Sequence, residues 1–466
     1  MKKAGKHPHS FPFFKSLKVQ KLQISGAQNQ QKSYVNGLYG SAKSFFVKEL
    51  FRNNNKTIFW ILNDKETAAY HFNDLENFMN SNQCSFFLSS YKRNREFNKT
   101  DSQNVFSRTE IIKDLNSKGT PKIIVSYPEA IFEKVLIKKE IKKKTLKISI
   151  SQKIELEILN EKLFEYDFNR VDFVSEPGDF SVRGGIVDVF SYSSNLPFRI
   201  EFFGNEIESI RSFEVDSQIS NNTFSSIEIL ADIENKESEQ EREGVFNFLQ
   251  QDCTIIIENS IFLKEELENC FEKIKTKYGH NQTENYNNLF YNGLNLISDL
   301  NKFSIIEFKK GIKNQISFLT VPQPAFNKRF NLLLDDLTNY SNKGYKIVVY
   351  CSSKNQIKRF NEIFEKIENT ISVKLIEKTI YKGFINHEDK EVYYSDHEIF
   401  DRYHKFNIKA GFSIKKRVSL NELNQLELGD YVTHIDHGIG IFGGLQKIEV
   451  NGKKQEAVKL SYGERD

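Results

Sequence analysis

Residues 176–210 read EPGDFSVRGGIVDVFSYSSNLPFRIEFFGNEIESI, and they decide how the middle of the chain is built. β-Branched and aromatic residues crowd Ile186 to Phe190, Phe198 to Phe203 and Ile207 to Val215, which therefore read as short strands. Gly204-Asn205 separates the last two by a two-residue hairpin signal. Pro177-Gly178-Asp179 marks a turn ahead of them, and Val171 to Ser175 reads as a further strand before it. A mostly β unit is expected from about residue 128 to 237.

The pattern changes on either side. Upstream, Ser33 to Asn36 and Thr57 to Leu62 read as strands, the second a continuous apolar run of the buried kind. Asn63 or Asp64 is placed to cap the helix that follows, with Ala68, Ala69, Phe72, Leu75 and Phe78 at helical spacing. Ser85 to Ser89 and Lys122 to Ser126 add strands, and strands alternating with helices favour a parallel sheet. A lysine-rich run, Lys138 to Lys147, reads as a solvated strand or loop rather than a phosphate-backbone contact, and a helical segment follows near 152–164. Downstream, ADIENKESEQEREG at 231–244 is a charged linker. A third α/β region carries Phe326, Phe330, Leu333, Leu334 and Leu337 on one helical face, a buried strand at Tyr345 to Tyr350, and a helix with Ile357, Phe360, Phe364 and Ile367.

A length of 466 residues suggests about three domains. The charge is +4, from 66 basic and 62 acidic residues, so any nucleic-acid contact has to come from a local patch. Cys84, Cys253, Cys270 and Cys351 are scattered without a CxxC pair, which suits reduced thiols and a cytoplasmic protein. MKKAGKHPHSFPFF lacks a continuous apolar core for a signal peptide. No run approaches the roughly 18 apolar residues of a membrane span.

Three segments could carry function. Gly37-Leu38-Tyr39-Gly40-Ser41-Ala42-Lys43-Ser44 fits the phosphate-loop pattern GxxxxGK[ST] except that Ala42 replaces the second glycine. A methyl group there intrudes where backbone N–H groups must approach phosphate oxygens, although Lys43 could still offer charge and Ser44 a hydroxyl to Mg2+. The nearest match to a strand-end acidic metal ligand, Leu332-Leu333-Leu334-Asp335-Asp336, lies within an expected amphipathic helix, so a relic loop is favoured over a working ATPase. The second segment is the strand region quoted above. The third is Gly429–Asp466, GDYVTHIDHGIGIFGGLQKIEVNGKKQEAVKLSYGERD. Its short strands, glycine breaks and Asn451-Gly452 hairpin signal suggest a small antiparallel barrel that stops before it closes. His434 and His437 are spaced HxxH, but no further ligand is evident for a metal.

These motifs resemble the transcription-repair coupling factors. The run 428–445, with Leu428-Gly429-Asp430-Tyr431-Val432-Thr433-His434, His437-Gly438-Ile439-Gly440 and Gly443-Gly444-Leu445, is similar to that family's CarD-like RNA-polymerase-interacting module. Residues 37–44 look like the degenerate copy of the UvrB nucleotide-binding lobe with which the family begins. Residues 176–210 resemble the domain that UvrB and the coupling factors share for docking onto the damage-recognition ATPase UvrA. The resemblance implies UvrA contacts at Arg183, Arg199 and Phe203. It also implies an RNA polymerase β-subunit contact by strand addition at Lys447, Ile448 and Glu449. The alternatives are that Arg183 and Arg199 form surface ion pairs with Glu201 or Asp188, and that Ile448 is an ordinary core residue.

The fold class so implied is α/β multidomain. A UvrB-like degenerate P-loop α/β domain (1–127) is followed by an inserted mainly-β UvrA-docking domain (128–237), the remainder of the UvrB-like module (238–315), a small α/β domain with linker (316–415) and a truncated SH3/Tudor-like β-barrel (416–466). The implied function is transcription-coupled nucleotide excision repair. The family recognises stalled RNA polymerase, releases it with an ATP-driven motor acting on double-stranded DNA, and recruits the excision machinery. The motor, with its ATP and Mg2+, is expected beyond residue 466, which leaves this chain an adaptor with no catalytic residue, cofactor, metal or membrane contact of its own. A UvrB-type helicase component and a CarD-like regulator are the competing readings.

Overall fold

The structure is a computed structural model and describes residues 32–91, 101–116, 120–215, 217–232, 241–278, 283–312, 315–364, 371–402, 428–434, 438–450 and 453–462. Residues 1–408 and 409–466 form two compact units, each described by itself.

The first unit is organised by a seven-stranded sheet in which every neighbour pair is parallel. Its order is Ile316–Ser317, Lys32–Asn36, Ser304–Phe308, Thr254–Ile257, Ile58–Ile61, Ile123–Ser126, Cys84–Phe86. The runs IFWI, IIVS and TIII are buried at every position, as strands covered on both faces must be. Helices Ala42–Asn54 and Lys65–Phe78 cross between strands, and the Asp64 carboxylate accepts the Thr67 N–H at 2.8 Å to cap the second. The loop 37–41 follows the carboxyl end of its strand, where open α/β sheets place ligands.

The mostly β unit lies in the chain between strands Ile123–Ser126 and Thr254–Ile257, which flank Ile58–Ile61 in the parallel sheet. Six strands run in the order Ser220–Thr223, Glu206–Phe213, Phe198–Phe203, Ile186–Val189, Asp179–Arg183, Asn169–Arg170; all pairs are antiparallel except the last. The inner face (Phe180, Val187, Val189, Ile200, Ile210) packs with Leu159 and Leu163 of helix Leu156–Glu165 and with Ile148 and Ile229 of the ladder Thr145–Ser149/Ser226–Leu230. Two local expectations change. Residues 171–175 are not a strand, because the Asp179 carboxylate takes the N–H groups of Ser175 and Glu176, each at 3.0 Å, and turns the chain out of the ladder. The lysine-rich run begins as a helix, Lys138–Lys143, with Ile141 as its buried contact, before the strand Thr145–Ser149.

The third region is a five-stranded mixed sheet, ordered Thr320–Pro322, Phe384–Asn386, Glu391–Ser395, Lys346–Cys351, Val373–Glu377. Helices Phe330–Asn342 and Lys354–Phe364 bury Leu333, Leu337 and Phe360 against it. Phe326 precedes the first helix yet joins the same core, and Ile367 lies outside the described residues. Phe384, Tyr393, Tyr350 and Ile380 belong to the same core as the parallel sheet's helices, so both sheets share one apolar interior.

The second unit is a three-stranded antiparallel sheet, Tyr431–His434, Gly438–Val450 and Lys453–Ser461. Val450 pairs with Lys453, so a two-residue connection joins the long strands; Asn451 and Gly452 themselves lie outside the described residues, as does His437. All four cysteines are buried and in no disulfide. Among the described residues no group of three metal-ligating side chains occurs, and no helix is long and apolar enough to cross a membrane.

Candidate functional site: a docking face and a phosphate loop

The outer face of the six-stranded sheet is built by cross-strand register. Ser181, Asp188, Arg199 and Arg211 are level on four successive strands, and Arg183, Ile186, Glu201 and Ser209 form the next row. Gly184, at φ 59°, turns the hairpin that leaves Arg183 at the rim. Asp188 is only 2% exposed and binds both candidate arginines. Arg199 donates to it through Nε and Nη2 at 2.7 and 2.8 Å, and Arg183 donates through Nη2. Glu201 instead accepts from Arg211 and from the Ser209 hydroxyl.

The two arginines have different surroundings. Arg199 also reaches the carbonyl and side chain of Gln218 and lies over the Phe213 ring at 4.4 Å, leaving its side chain 16% exposed. Its hydrogen bonds to Asp188 raise its pKa above the ordinary value despite partial burial. Arg183 keeps 41% of its side chain exposed. Phe203, on the strand of Arg199 and past a bulge at Glu201/Phe202, is 80% exposed. The structure therefore gathers Arg183, Arg199 and Phe203 on one face, with Arg199 serving mainly as a strut. The ion-pair alternative is realised through Asp188 rather than Glu201, and it uses one Nη of Arg183 while leaving 41% of that side chain exposed.

The phosphate loop is filled from within. Gly37 and Gly40 have φ of 72° and 51°, and a Cβ on Gly37 would fall 1.9 Å from the Phe318 carbonyl oxygen. The Ser41 N–H donates to the Lys382 carbonyl at 3.2 Å, and the Lys382 N–H donates to Ser41 Oγ at 3.1 Å. The N–H groups of Ala42 and Lys43 close onto Tyr39 and Gly40, while Tyr39 N–H goes to Thr320 Oγ1 at 2.8 Å. Ala42 is fully buried, and the Lys43 ammonium pairs with Glu258 at 2.6 Å. Ser44 Oγ lies 2.7 Å from His71 Nδ1 and 2.9 Å from Asp74 Oδ2. Asp74 accepts the Tyr381 N–H at 2.7 Å, and the Tyr381 ring stacks on Tyr70 at 4.4 Å. Lys382 of the third region thus takes the Ser41 N–H of the loop, while Thr379 and Tyr381 bind Asn73, Asn77 and Asp74 on the neighbouring helix.

Burial governs the titration of this cluster. It raises Asp74 to about 7, against the opposing hydrogen bonds from Ser41, Tyr381 and Ser44, and it pushes His71 well below its ordinary value. Asp335 and Asp336 lie in helix Phe330–Asn342, where Asp336 accepts the Tyr394 hydroxyl, so they form no strand-end metal ligand. Glu258, directly after strand Thr254–Ile257, is the acid that faces the loop. TIIIE was its legible signal; His71 and Asp74, inside an ordinary amphipathic helix, had none.

In the second unit, Lys447, Ile448 and Glu449 fall in strand Gly438–Val450, opposite Glu456, Gln455 and Lys454. Their side chains lie outside the described residues. Tyr431–His434 pairs only with Gly438–Ile441, so among the described residues the second edge of 445–450 has no partner strand.

Residues 146–234 match the model of the UvrB interaction domain, and residues 426–466 match that of the CarD-like/TRCF RID domain. The chain resembles the amino-terminal part of a transcription-repair-coupling factor. It is 24% identical over 510 aligned positions to the transcription-repair-coupling factor of Bacillus subtilis, covering 91% of this chain and 43% of that protein. It is 21% identical to the coupling factor of Staphylococcus epidermidis, with 93% and 44% covered, and 22% identical to that of Staphylococcus aureus, with 94% and 44% covered. The chain therefore spans less than half the length of these coupling factors. The UvrB interaction match contains the whole arginine face, and the RID match contains 447–449.

Proposed function

We propose that this chain acts in transcription-coupled nucleotide excision repair as the part that joins RNA polymerase to the excision machinery. The outer face at Arg183 and Phe203 docks UvrA, and the strand at Lys447, Ile448 and Glu449 adds to an edge of the polymerase β subunit. Release of a stalled polymerase by an ATP-driven, Mg2+-dependent translocase on double-stranded DNA belongs to the whole coupling factor in this reading. The second unit is read as part of a small SH3/Tudor-like barrel.

The observation that carries the proposal is a phenylalanine at 80% exposure on the same face as a half-exposed arginine, inside the segment matching the UvrB interaction domain. An aromatic anchor beside a guanidinium fork is the composition expected of an interface centre. The phosphate loop takes no nucleotide in this reading, since its lysine is paired with Glu258 and its Ser41 N–H is taken by the Lys382 carbonyl. That arrangement also argues against a UvrB-type helicase component.

The deciding experiment is binding of the purified chain to UvrA by biolayer interferometry. Micromolar or tighter binding that Arg183→Glu abolishes, with unchanged circular dichroism, is the expected result. Equal binding by the variant removes the assignment of this face. For the other partner, Ile448→Asp should abolish capture of the polymerase β subunit while UvrA binding is retained.

A further inference from the structure

The docking face contains a second large exposed ring. Phe173 is 64% exposed, and the Arg183 guanidinium lies 5.3 Å from its centroid. The ring is not carried on a loose segment. Val171 N–H donates to the Phe180 carbonyl at 2.9 Å, and Ser181 Oγ donates to the Asp172 carbonyl at 3.0 Å. On the other side, the buried Asp179 carboxylate accepts from the Ser175 hydroxyl at 3.1 Å and from the N–H groups of Ser175 and Glu176. Val174, next in the chain, is only 2% exposed and anchors inward. The backbone on both sides of Phe173 is therefore pinned, and the side chain is held outward.

That geometry is costly for an isolated surface and useful for an interface. An apolar ring presented on a braced segment loses little conformational freedom when it is covered. A guanidinium beside a ring is steadied by it, and the donors that Asp188 does not take remain for a partner's carboxylate. Arg183 gives Asp188 one Nη2 hydrogen bond and keeps 41% of its side chain exposed, whereas Arg199 gives Asp188 two, also reaches Gln218 and lies over a fully buried Phe213, which leaves it 16% exposed.

We propose that Phe173 is a second aromatic anchor of the docking face, and that Phe173 and Arg183 together read a carboxylate set beside apolar surface on UvrA. The proposal rests on the UvrA reading and adds to it a contact residue and the chemistry of the matching patch. Phe203 supplies the other apolar contact, and Arg199 acts through Asp188 as a positioning residue.

The test measures UvrA binding by the full chain and by Phe173→Ala, Phe173→Leu, Arg183→Glu and Ile158→Ala. Ile158 is an exposed apolar residue on the helix that covers the inner side of the sheet. Phe173→Ala should weaken binding by about tenfold or more, with its thermal midpoint unchanged. Phe173→Leu should recover most of the loss, and Ile158→Ala should bind as wild type. If Phe173→Ala binds as tightly as wild type while Arg183→Glu does not bind, the second anchor is wrong and the UvrA reading stands. If the wild-type chain does not bind UvrA, both fall together.

Discussion

Replacing Asp74 by asparagine should make the protein more stable by about 4 kcal/mol at pH 8 and by only about 1–2 kcal/mol at pH 5. Asp74 is fully buried, with one oxygen accepting the Tyr381 N–H and the other 2.9 Å from the Ser44 hydroxyl. Burial holds the acid at about 7 in the fold, against 3.8 for the free side chain. The folded state therefore binds the proton more tightly than the unfolded chain. The associated stability is fully present below about pH 4 and is lost as the pH rises through 7, with a total of about 4 kcal/mol. Between pH 5 and pH 8 the loss is about 3 kcal/mol.

Asparagine cannot ionise, and its donors and acceptors suit the site. Its oxygen can take the Tyr381 N–H while its amide donates to Ser44 Oγ, which then donates to the neutral His71 at Nδ1. Urea unfolding at the two pH values measures the effect, read by Trp60. It is the chain's one tryptophan, is fully buried, and its ring centroid is 4.8 Å from that of His71. Glu110, also raised to about 7 by burial, titrates in both proteins, so the difference between them isolates Asp74. If the variant is the less stable protein at pH 8, or if the wild-type-to-variant difference is the same at both pH values, Asp74 is ionised in the fold and the reasoning fails.

Gly37→Ala should destabilise the first unit by about 2–4 kcal/mol, because a Cβ would fall 1.9 Å from the Phe318 carbonyl oxygen at φ 72°; the same urea titration reads it. Arg199→Lys should lower stability by about 2 kcal/mol, since an ammonium cannot reproduce the two-point contact with the buried Asp188. Differential scanning calorimetry detects that loss, and a parallel UvrA measurement should show weaker binding through the displaced Arg183. Magnesium-dependent ATP turnover by the chain should stay at background, and Lys43→Ala should leave it there. Turnover that disappears with Lys43→Ala would show that the loop still handles phosphate.

Much of the architecture was legible along the chain because local physics carries it. Continuous apolar runs such as Ile58–Ile61 and Thr254–Ile257 announce strands buried on two faces, and Gly204-Asn205 announces a hairpin wherever it sits. The substitution at Ala42 and the arginine and aromatic positions of the β segment could also be read directly, since they depend on residue type and spacing. What fills the loop could not. The contact of Lys382 with Ser41 joins residues 341 apart, and the Lys43–Glu258 pair joins residues 215 apart. Such pairings exist only once both sheets close over one core. The unequal roles of Arg183 and Arg199 were likewise a tertiary matter. Both sit on strands that flank Ile186–Val189 in one sheet, but Gln218 and Phe213 enclose only Arg199, while the braced turn at 171–176 sets Phe173 beside Arg183. Residue order alone set which elements form and which residue types reach the outer face. Tertiary packing decided which charges are neutralised and which remain available, because burial and pairing depend on neighbours distant in the chain.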